Sequence, residues 1–270
     1  MQEITSNRNE RIKLVKALQS RARARRKEGK LVLEGVRLVG DALARGFSPD
    51  FVCVVPEQAQ VGRPAHDLVQ TLEAQGVPLF AVSEALMREM SDMEAPQGVL
   101  AVLAIPELPV PDAPTLALVL DGINIPGNLG SALRTAAAAG VDVVILPPNT
   151  VDPYNPKVLR GGMGAHFRLP VLQLDWPEIE ARFGQLPMYV AAADGAQSIY
   201  AVNWIDPALV VIGGEAHGPT SEATRRAATS VAIPMASETE SLNASVAAGV
   251  ILYEIVRQRL AAGRKGSSNA

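Results

Sequence analysis

From residue 115 onward, short apolar runs alternate with segments of helical periodicity. Leu116–Leu120 and Ala208–Ile212 are continuous apolar runs of strand length, and Ser131–Gly140 and Leu242–Leu260 have the spacing of helices. Continuous apolar strands that alternate with helices predict a mainly parallel sheet covered on both faces. We therefore expect an α/β fold in this half of the chain.

Three of the predicted strand-to-helix turns carry polar and small residues. In open α/β sheets ligands bind at the carboxyl ends of the strands, where such turns gather, so we expect the three to form one composite site. Polar side chains at the last turn can also cap the final helix. The three motifs are Asn128-x-Gly130 with Arg134 and Thr135, then Gly213-x-Glu215-x-x-Gly218, then Ile233-Pro234-Met235 with Ser241-Leu242-Asn243-x-Ser245.

In this order the three motifs resemble those of the SpoU/TrmH-type RNA 2′-O-ribose methyltransferases of the SPOUT superfamily. The resemblance covers about the last 150 residues. It implies a C-terminal Rossmann-like SPOUT domain, residues 115–262, whose chain forms a deep trefoil knot. It also implies a homodimer that uses S-adenosylmethionine as methyl donor and needs no metal. The single cysteine and three histidines also argue against a structural zinc site.

The resemblance assigns roles to individual residues. Methyl transfer to a ribose 2′-hydroxyl is an in-line displacement, so the protein must align donor and acceptor and favour negative charge on the oxygen. The expected catalytic residues are Arg134, Asn128, Ser241, Asn243 and Glu215. The expected donor-binding residues, which act largely through their backbone, are Gly213, Gly214, Ile233, Met235 and Leu242.

Arg134 follows Gly130 by one helical turn. Its family counterpart is proposed in some cases to act as a general base, but a guanidinium stays protonated at ordinary pH. We expect Arg134 to bind the target phosphate and stabilise the developing alkoxide, and its role as a base stays open. Glu215 is expected to pair with Arg134 or orient it, and Asn128 to act as a helix N-cap as well as to hold the ribose or backbone.

The net charge of −3 conceals a basic N-terminal segment. Residues 1–30 contain ten Lys or Arg and three Glu, so the remainder of the chain is strongly acidic. We predict one basic helix here, and a basic helix on an acidic body favours a polyanion partner such as RNA. A solvated helix face is the alternative interpretation.

Residues 31–105 predict a second, smaller α/β unit. Lys30 to Gly35, followed by an amphipathic helix, resembles the small substrate-binding domain that precedes the catalytic domain in many SpoU/TrmH proteins. That domain resembles ribosomal RNA-binding proteins, so the resemblance implies that it holds RNA. Residues 106–114 are rich in proline and predict a stiff linker, and residues 263–270 predict a disordered polar tail.

The sequence lacks the features of a membrane or secreted protein. It has no run of about 18 apolar residues and no signal-peptide pattern at Met1 to Thr5. We therefore expect a soluble cytoplasmic protein without a membrane partner. Cys53 lies in an apolar run and is expected to be a buried strand residue.

The leading hypothesis is an S-adenosylmethionine-dependent RNA 2′-O-ribose methyltransferase that acts on ribosomal RNA, with transfer RNA as the alternative substrate. A non-catalytic RNA-binding or ribosome-assembly protein on the same scaffold is a hypothesis of another class, against which the complete motif set argues. A nicotinamide-dependent oxidoreductase fits the α/β alternation, but no G-x-G-x-x-G sequence follows a first strand.

Overall fold

The computed structural model describes residues 1–236 and 241–267, with side chains described as far as residue 263. The chain divides into two compact units. The first consists of Met1–Glu107 with Tyr154–Phe167, and the second of Leu108–Pro153 with Arg168–Ala270. Each unit has its own sheet.

The first unit is built on a five-stranded mixed sheet. Its strands are β1 (Gln2–Ile4), β2 (Lys30–Glu34), β3 (Phe51–Val54), β4 (Leu79–Val82) and β5 (Val99–Ala104). Its helices are α1 (Glu10–Ser20), α2 (Ala22–Glu28), α3 (Val36–Ala44), α4 (His66–Ala74) and α5 (Glu84–Met90), with a 3-10 turn at Pro56–Ala59. The strand order is β1-β4-β3-β5-β2, in which β5 runs antiparallel to both of its neighbours.

The basic N-terminal segment is not the single helix predicted from its composition. It forms β1, α1 and α2, because Arg21 adopts an extended backbone conformation that ends α1 before α2 begins. Asn9 caps α1 by accepting a hydrogen bond from the backbone N–H of Arg11 at 2.9 Å. The apolar side of α1 is fully buried in the core of this unit. The segment is therefore an integral part of the first unit.

Residues Tyr154–Phe167, which the predicted boundaries place in the C-terminal domain, pack with the first unit. They form α7 (Pro156–Gly162) and a 3-10 turn at Ala165–Phe167. Leu159 and Phe167 are buried in one of the two cores of the first unit, and the Phe167 ring lies 5.0 Å from that of Phe47. Arg160 on α7 also pairs with Asp92. The apolar spacing of a short helix does not reveal which sheet it covers, so local pattern could not assign this segment.

The second unit is a seven-stranded sheet in which every pair of neighbouring strands is parallel. Its strands are β6 (Leu116–Asp121), β7 (Val143–Leu146), β8 (Val171–Gln173), β9 (Met188–Ala191), β10 (Gln197–Ser198), β11 (Ala208–Gly213) and β12 (Thr229–Ala232). Its helices are α6 (Pro126–Ala139), α8 (Trp176–Phe183), α9 (Ser221–Arg226) and α10 (Ala244–Ser267). The strand order is β10-β12-β9-β11-β6-β7-β8, which confirms the predicted parallel α/β sheet.

Two helix boundaries differ from the prediction by five residues or more. α6 begins at Pro126 rather than at Ser131, and proline suits the first turn because its fixed φ and missing N–H cost nothing there. α10 extends to Ser267, five residues into the predicted tail. Residues 268–270 of that tail lie outside the described residues.

Cys53 lies in β3 and is fully buried, as predicted. Burial raises the pKa of its thiol to about 12, since a thiolate would lose its hydration there. In the portion of the chain that the structure describes, no helix has the length and apolar character to cross a bilayer.

Candidate active site

The first two motifs meet because their strands are neighbours. β6 pairs with β11 in a register that sets Asp121 opposite Gly213, so both following turns leave the same edge of the sheet. The Asp121 side chain is almost completely buried, and its Oδ2 accepts a hydrogen bond from the backbone N–H of Thr220 at 2.7 Å. This contact ties the end of the 213–219 turn to β6.

Close backbone packing at this turn requires glycine at two successive positions. A Cβ atom on Gly213 would lie 2.0 Å from the backbone nitrogen of Pro219, and one on Gly214 would lie 2.3 Å from the carbonyl oxygen of Gly122. Neither neighbour is the flexible end of a side chain. The turn therefore presents bare backbone at the edge of the sheet.

A cavity of about 210 Å³ lies beside this turn. All five residues predicted to bind the donor line it, together with Glu215 and Ser241 from the predicted catalytic set. Most of the other lining residues are small or apolar and come from the ends of β9, β11 and β12 and from the start of α10. The complete lining is Ala191, Ala192, Ala193, Ile212, Gly213, Gly214, Glu215, Gly218, Pro219, Val231, Ile233, Met235, Ser241, Leu242, Ala244 and Ala247.

A chain of hydrogen bonds joins the three motifs. Glu215 Oε1 accepts from Asn128 Nδ2 at 2.7 Å, and Asn128 Oδ1 accepts from Asn243 Nδ2 at 3.0 Å. Asn243 Oδ1 then accepts from the Ser245 backbone N–H at 2.9 Å and from Ser245 Oγ at 2.7 Å. Because a carboxylate only accepts, Glu215 fixes the orientation of the Asn128 amide, which in turn fixes that of Asn243.

Asn243 also begins α10. Its backbone oxygen accepts from the Ala247 N–H at 2.9 Å while its side chain accepts from the Ser245 N–H, so it is the N-cap of this helix. Ser241 lies on the cavity wall just before it. The prediction that Asn128 is a helix N-cap is wrong. Ile125 is the N-cap residue of α6, and Asn128 lies within the first turn of that helix.

The hydrogen bonds also set the ionisation of Glu215. Partial burial raises the pKa of this carboxyl, but hydrogen bonds from the Asn128 side chain and from backbone amides outweigh that effect and hold the pKa below its ordinary value. One of the backbone donors is Asn124, whose N–H lies 3.2 Å from Glu215 Oε2. Glu215 therefore accepts these hydrogen bonds as an ionised carboxylate.

Glu215→Gln is expected to destabilise the protein at neutral pH. A glutamine side chain has only one oxygen, so its NH2 group would face either the Asn124 N–H or the Asn128 Nδ2–H, and that donor would lose its acceptor. The folded-state pKa is lowered, so the stabilisation is complete above the ordinary carboxyl pKa of about 4.3 and is lost as pH falls through the folded-state value. Melting temperatures of both proteins measured between about pH 7 and pH 3 should converge at the acid end.

Glu57→Gln is the matched control, since Glu57 is exposed in the 3-10 turn of the first unit. This variant should follow the wild-type melting curve. A Glu215→Gln deficit that stayed constant over the whole pH range would contradict the ionised role of the carboxylate.

The expected pairing of Arg134 with Glu215 is not found in the structure. Within the described residues Glu215 binds Asn128 and Asn124, and the Arg134 side chain is exposed on α6 with no ion pair. The physical reason is distance along the helix, since Arg134 lies six residues or about 9 Å beyond Asn128. The guanidinium is exposed on the surface of α6.

Two features of the site went unpredicted. Asn124 supports Glu215 through its backbone and holds the turn through its side chain, which donates to the Gly122 carbonyl oxygen at 3.0 Å. The anchoring of Thr220 by Asp121 was also missed. An aspartate at the carboxyl end of an apolar strand was the signal that could have found it. His217, in the 213–219 turn, is exposed.

Comparisons with known proteins agree with this geometry. Residues 115–253 match the model of the SpoU rRNA Methylase family, and residues 9–101 match that of the MRM3-like substrate binding domain. An uncharacterized tRNA/rRNA methyltransferase of Synechocystis is 36% identical over 97% of this chain and 96% of its own. A 23S rRNA (uridine(2479)-2′-O)-methyltransferase of Streptomyces viridochromogenes is 31% identical over 94% and 92%.

The similarity extends to three dimensions. The crystal structure of the SpoU methyltransferase AviRb from Streptomyces viridochromogenes, in complex with the cofactor AdoMet, superposes with a TM-score of 0.84 at 28% identity. The alignment covers 94% of this chain and 99% of that one. Both the family resemblance read from the motifs and the two-part α/β fold are confirmed. On the strength of the matched family model, the full-length relatives and the shared fold, the chain belongs to the SpoU rRNA methylase family.

Proposed function

We propose that the protein is an S-adenosylmethionine-dependent RNA 2′-O-ribose methyltransferase whose substrate is ribosomal RNA. The observation that carries the proposal is the cavity, in which all five predicted donor-binding residues meet beside the hydrogen-bonded chain of Glu215, Asn128 and Asn243. Relatives named as ribosomal RNA methyltransferases favour this RNA over transfer RNA.

The cavity suits S-adenosylmethionine on physical grounds. Gly213 and Gly214 leave backbone groups open to an adenosine or methionine moiety, while Ile233, Met235 and Leu242 provide apolar walls. When bound, the donor supplies an electrophilic methyl group for in-line displacement by the ribose oxygen. No cluster of metal-ligating side chains occurs among the described residues, and the proposal assigns no role to a metal.

Asn128 and Arg134 have groups that can bind the RNA and stabilise the reacting oxygen. Asn128 uses one amide hydrogen and one oxygen lone pair in the chain of hydrogen bonds, which leaves one of each for the ribose or its phosphate. Arg134 presents up to five donors of fixed geometry and a permanent positive charge. We assign to it the binding of the target phosphate and the stabilisation of the developing alkoxide.

Calorimetric titration with S-adenosylmethionine, followed by transfer of a labelled methyl group to purified ribosomal and transfer RNA, tests the proposal. We expect saturable binding of one donor per chain and incorporation into ribosomal RNA. Incorporation into transfer RNA alone would reassign the substrate. RNA binding without donor binding would instead favour a non-catalytic ribosome-assembly protein.

We also propose that the protein is a cytoplasmic homodimer whose chain forms the trefoil knot of its family. Exposed apolar side chains on α10 support the dimer, because Val246, Tyr253 and Leu260 recur every seven residues and are 50%, 53% and 61% exposed. Such a spacing sets them in one stripe along the helix, suited to a second copy of the same surface.

A further inference from the structure

The short helix α2 exposes a cluster of positive charge. Arg23, Arg26 and Lys27 are spaced three and four residues apart, so they lie on one face of the helix, and all three are exposed. Arg21, at the junction between α1 and α2, is exposed as well. These four residues are named the α2 basic face.

The α2 basic face brings four exposed cations together within seven residues, and they have few carboxylate partners. Among the described residues Arg21, Arg23 and Arg26 form no ion pair, and Lys27 lies 3.7 Å from the adjacent, exposed Glu28. Arg37 and Arg63 of the same unit also form no ion pair among the described residues, but they stand apart along the sequence. Six other cations of the unit pair with nearby carboxylates. These pairs are Lys13 with Glu10, Lys16 with Glu89, Lys30 with Asp50, Arg45 with Asp41, Arg88 with Glu84 and Arg160 with Asp92.

One arginine of the same helix, Arg25, is buried and has a structural role. Arg25 is only 3% exposed, and its guanidinium donates to the carbonyl oxygen of Leu18 in the last turn of α1. It therefore binds carbonyl groups that the helix end leaves without partners. Arg25 anchors α2 against α1, which holds the exposed cations on a fixed support.

We propose that the α2 basic face binds phosphate groups of the RNA substrate, so that it contributes affinity without taking part in methyl transfer. The inference rests on the proposed function, since it takes the partner to be the RNA that is methylated. Charge complementarity supports this choice, because unpaired arginines release counterions from a nucleic-acid backbone when they bind it. The match of residues 9–101 to a substrate binding domain includes the whole of α2.

The test uses the full-length double variant Arg23→Ala/Arg26→Ala, which removes two exposed charges and leaves Arg25 in place. Its affinity for a ribosomal RNA fragment should fall about tenfold at about 0.1 M salt. The slope of log affinity against log salt concentration should become shallower by about 1.5, because each phosphate contact contributes about 0.7 to 0.9. In methyl transfer, KM for RNA should rise while kcat and donor affinity stay unchanged, since the cavity is lined by residues of the second unit alone.

Arg63→Ala/Arg88→Ala is the matched control, because both arginines are exposed in the same unit and the same number of charges is lost. This control should keep the affinity and the salt dependence of the wild type. Equal losses in the two double variants would overturn the inference in favour of a simple effect of net charge. Wild-type affinity in Arg23→Ala/Arg26→Ala would overturn it directly.

Two further outcomes separate the inference from the proposed function. A wild-type protein that binds no ribosomal or transfer RNA would refute the proposed function and the inference with it. If the double variant loses binding only to vesicles that contain anionic lipid, and not to RNA, the α2 basic face binds membranes and the inference is refuted alone. Melting temperatures confirm that each variant is folded, as the exposed positions lead us to expect.

Discussion

Arg134→Ala is expected to lower kcat for methyl transfer by about a hundred- to a thousandfold, the usual cost of removing one group that stabilises developing charge. Affinity for S-adenosylmethionine should not change, because Arg134 is exposed on α6 and does not line the cavity. The thermal stability should not change either, since the side chain has no ion pair among the described residues. Initial rates over a range of RNA concentrations, with donor binding measured by calorimetry, provide the comparison.

Two further variants sharpen the interpretation of Arg134. Arg134→Lys keeps the charge but loses the planar array of donors, so an intermediate rate is expected if both matter. Arg182→Ala removes an exposed arginine from α8 of the same unit and should behave like the wild type. If Arg134→Ala raised KM for RNA and left kcat intact, the residue would bind phosphate uniformly and would not stabilise the reacting oxygen.

Gly213→Ala is expected to weaken S-adenosylmethionine binding at least about tenfold and to lower the thermal stability. The added Cβ would lie 2.0 Å from the backbone nitrogen of Pro219 and 2.1 Å from the carbonyl carbon of Gly218, so the turn itself must move. Overpacking of this kind typically costs about 1–3 kcal/mol, and about 1.4 kcal/mol corresponds to a tenfold change in affinity. Calorimetry and thermal melts on the same samples measure both effects.

Gly127→Ala is the matched control for this prediction. A Cβ on Gly127 would meet no atom within 4 Å, and its position in α6 favours alanine by about 0.5–1 kcal/mol. Donor binding should therefore persist, with equal or higher stability. Normal donor affinity in Gly213→Ala would show that the 213–219 turn does not form the donor site.

Two strands of the second unit, β6 and β11, could be predicted closely because they are buried on both faces. β6 and β11 appear in the sequence as unbroken apolar runs, and each extends only one residue beyond its predicted end. β10 was missed because a pair of residues, Gln197 and Ser198, leaves no periodic pattern. The start of α6 was placed too late, although Pro126 carried the signal for a first helical turn.

The side-chain partnerships of the site could not be predicted to the same degree. The order and spacing of the motifs identified residues that the structure brings to one edge of the sheet. Which donors Glu215 accepts from depends on the path of the turns before α6 and after β11, and no sequence pattern encodes that path. We therefore expected Glu215 to pair with Arg134, whereas in the structure it accepts hydrogen bonds from Asn128 and Asn124.

The first unit includes the later segment Tyr154–Phe167, which affects the order of folding during synthesis. The ribosome synthesises β6, α6 and β7 of the second unit before it reaches Leu159 and Phe167, which complete a core of the first unit. The core of the N-terminal unit therefore cannot be completed until the chain has been made as far as Phe167. A fragment that ends at the proline-rich segment would lack part of its own interior, so the first unit depends during biosynthesis on a segment that is made after the first strands of the second unit.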